Sequence, residues 1–208
     1  MNRFITIEGV EGAGKTTQAA RLADVLRREG HDVVLTREPG GTDLGRRLRH
    51  LLLDESSLAP TPQTELLLYL ADRAEHVQRL IQPALEKGSV VIADRFSDSM
   101  VAYQGHGRGV PVETVRSLDD FARGGIEPAL TFVLDLPPEE GLERIRATRS
   151  GDRLENEDIE FHRRVRAGFQ TIAAEYPQRV TVLDARSDVP AVAAEIAALA
   201  RKHLGAPA

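Results

Sequence analysis

The stretch Gly9-Val10-Glu11-Gly12-Ala13-Gly14-Lys15-Thr16 satisfies G-x-x-x-x-G-K-[ST] without a gap, and Thr17 follows it. Glycines at this spacing let successive backbone N–H groups turn inward as an anion nest. A helix starting at Lys15 adds the partial positive charge of its N-terminus. Lys15 is then placed to reach the β- and γ-phosphates of a nucleoside triphosphate, and Thr16 to offer a hydroxyl to Mg²⁺. The alternative is a glycine-rich turn that only joins a strand to a helix. Lys15 weighs against it, because it is one of three lysines beside 24 arginines. The glycine spacing does not fit a dinucleotide fingerprint.

Three further groups of residues carry chemistry. Asp94-Arg95 ends an apolar run, Val90 to Ala93. At the carboxyl edge of a parallel sheet, Asp94 is placed to help hold Mg²⁺ and Arg95 to hold a second phosphate; a capping Asp beside a solvated Arg is the plainer alternative. Tyr69 and Arg73 are four apart, hence neighbours on one helix face. A ring and a guanidinium together can stack on a base and bond its edge, but they fit a core tyrosine and a surface ion pair equally well. Arg144, Arg146, Arg149 and Arg153 fall within ten residues, interrupted by Ser150-Gly151. Alone, such a run is a solvated charged helix. Beside a phosphate loop it suits a mobile lid that brings positive charge to a γ-phosphate and excludes water.

The elements that must position these groups alternate. Short apolar strands are expected at Phe4–Ile7, Val33–Leu35, Val90–Ala93, Leu130–Leu134 and Val180–Leu183. Helices are expected at about 15–28, 44–53, 63–87 and 189–204, with Pro83 kinking the third or lying near its end. Ala59 to Pro62 reads as punctuation and 205–208 as a frayed tail. This is an α/β pattern with a five-stranded parallel sheet flanked by helices, in a single domain over 1–208 with a lid at about 144–157. With 208 residues, 41% hydrophobic, the chain can bury a full core. A net charge of −5 argues against a general nucleic-acid partner, so any phosphate site must be a local basic cluster. The absence of cysteine excludes thiol catalysis and zinc-thiolate sites and fits a reducing cytoplasm. No apolar run approaches a membrane span, and the first residues show no secretory h-region.

No Asn-Lys-x-Asp guanine reader and no ABC-type signature loop is present, which leaves a small kinase with two facing anion sites. Over nearly its whole length the chain resembles the thymidylate kinase family. The resemblance rests on the phosphate loop, Arg37-Glu38-Pro39-Gly40-Gly41-Thr42, Ala71-Asp72-Arg73-Ala74-Glu75-His76, Asp94-Arg95-Phe96-Ser97-Asp98-Ser99, Ala102-Tyr103-Gln104-Gly105 and Asp152-Arg153-Leu154-Glu155. It implies a P-loop NTPase fold and transfer of a phosphoryl group from MgATP to dTMP. It further implies that Glu11 accepts from the sugar 3′-OH, that Tyr69 stacks on thymine and that Arg73 bonds its edge. Arg95, helped by Arg37, would grip the acceptor phosphate. Ser99 and Gln104 would contact the base, and Tyr103 would crowd the sugar 2′ position. Gly12 stands where one subgroup of the family carries an arginine. The chain therefore looks like the bacterial subgroup whose lid supplies it, with Arg153 and Arg149 favoured at the transferred group and Arg144 and Arg146 near ATP. The resemblance also implies a homodimer, with apolar helix faces near Leu66 to Val77 as its source. The alternatives are another nucleoside monophosphate kinase, acting on dUMP or dCMP, and a non-catalytic nucleotide-binding protein that kept the loop.

Overall fold

The computed structural model describes residues 2–54 and 60–205. The expected punctuation at Ala59 and the tail at 206–208 lie outside the described residues. In chain order the elements are β1 (Phe4–Gly9), α1 (Lys15–Arg28), β2 (Val33–Arg37), α2 (Asp43–Leu53) and α3 (Pro62–His76). A π-helical turn (Val77–Ile81) joins α3 to α4 (Gln82–Glu86). Then come β3 (Val90–Asp94), α5 (Ser97–Met100), a second π-helical stretch (Val101–Gly107), α6 (Val112–Arg123), β4 (Leu130–Asp135), α7 (Pro138–Arg146), α8 (Ile159–Glu175), β5 (Val180–Asp184) and α9 (Val189–Leu204).

All five expected strands form, and all pair in parallel, in the order β2-β3-β1-β4-β5. Every residue of β1 is buried, as the central strand of a sheet covered on both faces should be. Its side chains alternate between faces. Ile5 and Ile7 join the larger core with Leu22 and Leu26 of α1. Phe4 belongs to a smaller core with Val77, Ile81, Ala84 and Phe96. Thr6 and Glu8 share the Phe4 face, so two polar side chains are buried beneath the site.

The expected helix over 63–87 is one rod in three pieces. Thr61 caps it by accepting from the Thr64 N–H, and Pro62 occupies its first turn, where no N–H is needed. Pro83 lies in the first turn of α4, directly after the π-helical turn, which accommodates its missing donor. The stretch 97–123 and the helix over 159–175 carried no sequence expectation. Asp158 caps α8 through the Phe161 N–H at 2.6 Å.

Candidate functional site

The carboxyl ends of β1 and β3 open onto a cavity of about 330 Å³. The phosphate loop lines one side through Glu11, Gly12, Gly14, Lys15, Thr16 and Thr17. Two glycines there are set by close approach. A Cβ on Gly9, whose φ is +135°, would lie 2.4 Å from the Leu134 carbonyl oxygen. One on Gly12 (φ +69°) would lie 2.1 Å from that of Gly141 in α7. The Lys15 ammonium donates to the Gly9 and Val10 carbonyls at 3.1 and 2.7 Å. Burial, then the nearby Arg95 charge, lower its pKa. The Thr16 hydroxyl donates to Asp94 Oδ2 at 2.5 Å.

Opposite the loop stand three guanidiniums, those of Arg37, Arg49 and Arg95. Burial, then Arg37 and Arg95, depress the Arg49 pKa, the mark of cations gathered around an anion site. Arg95 adopts a left-handed backbone, φ +75°, unusual for a side chain with a Cβ. The turn is held from below. Glu8 accepts from the Phe96 N–H at 2.7 Å and the Ser99 hydroxyl at 2.5 Å, and the Arg95 N–H donates to the Ile7 carbonyl. Burial, then the Asp98 charge, push the Glu8 carboxyl up to about 8, against the Ser99 bond and Arg95. The Arg95 guanidinium pairs with Glu11 and donates to the Tyr103 hydroxyl at 3.1 Å. The same Glu11 oxygen lies 3.7 Å from the Lys15 ammonium. Burial alone would raise Glu11, but Arg95 and Lys15 hold it at about 2. One carboxylate oxygen therefore touches the cation of each anion site.

Deeper in the cavity, Arg73 is fixed from both sides. Its Nε and Nη2 donate to Glu38 Oε2 at 2.9 and 2.6 Å, its Nη1 to Asp119 at 2.5 Å, and its plane lies over Phe96. Glu38 follows Arg37 in a turn with a cis Glu38–Pro39 bond, so one residue links the Arg73 end of the cavity to the Arg37 end. Tyr69, Ser99, Tyr103 and Gln104 complete the wall. The rim is the irregular segment between α7 and α8, residues 147–158. There Arg149 makes a two-pronged pair with Glu155 at 2.8 and 2.6 Å.

A family model described as thymidylate kinase matches residues 7–196. The chain belongs to the thymidylate kinase family. A relative named thymidylate kinase from Synechococcus sp. (strain JA-3-3Ab) is 56% identical over 201 residues, 97% of this chain and 96% of the relative. Another, from Nitratidesulfovibrio vulgaris, is 51% identical over 99% of both. A crystal structure of thymidylate kinase from Ehrlichia chaffeensis superposes with a TM-score of 0.77 at 36% identity, covering 94% of this chain and 97% of that one.

Of the residues that the thymidylate kinase resemblance singles out, the structure brings Glu11, Gly12, Gly14, Lys15, Thr16, Thr17, Arg37, Tyr69, Arg73, Asp94, Arg95, Ser99, Tyr103, Gln104 and Arg149 to one cavity. Gly9, Val10 and Ala13 shape the loop without lining it. Arg144 sits behind the loop, donating to the Ala185 carbonyl at 3.2 Å. Arg146 and Arg153 do not line the cavity. Arg146 points to solvent, and Arg153 is turned toward α2 and α3. Sequence reasoning missed Arg49 and the carboxylates Glu38, Asp119 and Glu65. Arg49 had a signal: four residues after Gly45, it shares that glycine's helix face, while Arg46 and Arg47 point outward.

Proposed function

We propose that this chain transfers the γ-phosphoryl group of ATP to dTMP, giving ADP and dTDP, in the cytoplasm. The observation that carries the reading is Glu11, whose single oxygen stands between Lys15 and Arg95. An in-line transfer between two phosphates requires two adjacent anion sites, and Glu11, which contacts the cation of each, marks how close these two lie. ATP lies along the phosphate loop with Lys15 at its β- and γ-phosphates. The acceptor phosphate is gripped by Arg37, Arg49 and Arg95. Thymine lies between Tyr69 and Arg73, beside Ser99 and Gln104. Glu11 accepts from the sugar 3′-OH, and Tyr103 closes the 2′ position.

Thr16 and Asp94 offer hard oxygen donors side by side, which suits Mg²⁺. Among the described residues no cluster of three or more His, Asp or Glu could hold a metal, so Thr16 and Asp94 are the residues that would hold Mg²⁺ here. When bound, Mg²⁺ supplies positive charge that neutralises the donor phosphates. No general base is required, because a phosphate monoester with a second pKa of about 6 is already largely dianionic at neutral pH. An acceptor oxygen attacks the γ-phosphorus, the bond to the bridging oxygen breaks, and ADP leaves. Lys15, Arg95 and Arg149 offset the charge gathered at the transferred group. Arg144, behind the loop, supports the ATP end.

The chain is also proposed to dimerise. Leu66 and Val77 themselves are core residues, so the exposed apolar face of that stretch is carried by Leu67 between them. Leu67 on α3 and Phe121 on α6 are 58% and 87% exposed on helices that pack together. Light scattering behind size exclusion should give twice the chain mass for the wild type and a monomer for Phe121→Asp. No helix among the described residues is long and apolar enough to cross a membrane.

The test of function is ADP release with MgATP across dTMP, dUMP, dCMP, dGMP and AMP. Strong preference for dTMP, with little hydrolysis when no acceptor is present, is expected. Preference for another monophosphate overturns the base assignment, and no acceptor-dependent turnover overturns the kinase reading.

A further inference from the structure

Glu65, in the first turn of α3, has no solvent exposure, and four donors converge on it. Gln104 Nε2 and Arg108 Nε donate to Oε1 at 3.1 Å each. Arg108 Nη2 donates to Oε2 at 3.1 Å, and Arg153 Nη2 to the same oxygen at 2.5 Å. Burial alone would raise this carboxyl, but its arginine bonds hold it below the usual range. It is an acid that stays ionised in the interior because its partners surround it.

Two of the elements joined here belong to different parts of the machine. Gln104 and Arg108 lie on and just after the π-helical stretch that carries Tyr103. Arg153 lies in the lid segment. The lid is held at a second point, because Arg108 Nη2 also pairs with Glu157 at 2.6 Å. Arg153, Glu65, Arg108 and Glu157 thus form a charge-balanced chain of ion pairs that joins α3 and the π-helical stretch to the lid. Arg153 has a further anchor. Its Nε donates to the Leu52 carbonyl at 2.7 Å and its own N–H to the Leu53 carbonyl at 3.2 Å. These are terminal carbonyls of α2 with no partner inside the helix, at the end where a cation is favourable. The Arg153 side chain is 11% exposed, against 54% for Arg149. The two lid arginines that the sequence grouped together therefore face different tasks.

We propose that Glu65 is a positioning residue: it seats Arg153, and that seat fixes the lid so that Arg149 is delivered to the transferred phosphoryl group. Arg153 acts as the lid's tether, not as a phosphate ligand. Because Gln104 shares the same carboxylate, the base pocket and the tether read one another. The inference rests on the dTMP kinase reading of the cleft.

The test uses the full chain as wild type, Glu65→Gln, Arg153→Met and the double variant. Backbone hydrogen exchange over 147–158, without nucleotide, reads the tether itself. Exchange there should quicken about tenfold or more in both single variants and stay unchanged over α1 and β1. In turnover with MgATP and dTMP, kcat should fall about 10- to 100-fold in each, the usual cost of a misplaced catalytic group. The double variant should lose less than the two single losses combined, since the Glu65–Arg153 pair is common to both. Melting temperatures are read alongside, and a fall in kcat without lid opening overturns the proposal. So does an Arg153→Met enzyme that is inactive while Glu65→Gln turns over normally, which would put Arg153 on the phosphate directly. Should the wild type show no dTMP-dependent turnover, the kinase reading fails, while the exchange result still decides whether the tether exists.

Discussion

The arginines of the acceptor pocket and those of the lid differ in how their charge is held. Arg73 is nearly inaccessible, shared between Glu38 and Asp119 and laid over Phe96. Arg95 is pinned by Glu11 and Tyr103 on a left-handed turn. Arg149 is half exposed, with Glu155 as its carboxylate partner on the lid itself. A fixed, paired guanidinium reads shape, because its remaining N–H groups point in set directions before substrate arrives. A solvated one carries charge that can move. On the proposed function, the acceptor end of this site is therefore built for recognition and the lid for delivery. Fixing costs more stability when a partner is lost than delivery does, because only one member of the Arg149–Glu155 pair is buried.

The largest expected effect separates these roles by kinetics. Arg149→Ala should lower kcat by about 10³ or more, the usual worth of an arginine on a transferring phosphoryl group. Its melting temperature should fall far less than when a fully buried pair is broken, since Arg149 is half exposed and the Glu155 carboxylate keeps the Asp152 N–H as a donor. Lys15→Ala should be equally inactive. Turnover near wild type in either variant would remove the phosphate loop or the lid from the chemistry.

Next comes Arg73→Ala, where stability and recognition should fall together. The change strands Glu38 and Asp119 in the interior, a loss of about 3–5 kcal/mol when one member of a buried ionic group is removed. KM for dTMP should rise far more than kcat falls. Adding Glu38→Gln should recover part of the melting temperature without recovering KM, whereas recovery of both would mean that Arg73 never touched the base.

Two buried glutamates sharpen the contrast through pH. Glu11 is held at about 2, below its ordinary 4.5, so its contribution to stability is complete above about pH 4.5 and is lost as pH falls toward 2. Glu8 is displaced the other way, to about 8. The folded state keeps its proton, so its contribution is present below about pH 4.5 and is lost as pH rises toward 8. Glu8→Gln should therefore gain on the wild type between pH 5 and pH 8, by about 2 °C or more in melting temperature. A constant difference across that range would mean that Glu8 is already ionised at pH 5.

The strands and the phosphate loop were legible because their signals are local: apolar runs of four or five residues, and one unbroken motif. The acceptor set was legible through linked motifs. What stayed hidden was the counter-charge. Asp119 lies 46 residues from Arg73 on a helix with no sequence expectation, and Glu65 lies 88 residues from Arg153. A carboxylate acquires its partner only when the sheet closes, so no spacing rule reveals it. The same gap explains the lid. Four arginines within ten residues look equivalent in a sequence, and only the fold shows that Arg153 turns inward, Arg149 faces the cavity, and Arg144 backs the loop.

Arg146 is the control for that distinction, and the smallest effect expected. It is exposed on the last turn of α7, away from the cavity. If lid arginines act by net positive charge, its loss should hurt nearly as much as that of Arg149, and salt should mimic it, because exposed charges are screened beyond about 8 Å at physiological ionic strength. If they act by contact, Arg146→Ala should leave kcat and KM for ATP within about twofold of wild type, as surface changes away from a site usually do. Steady-state kinetics of Arg146→Ala and Arg149→Ala at low and high salt decides between the two. Contact predicts a large gap between the variants that persists in salt, since the field at the phosphoryl group falls off within the length of one side chain.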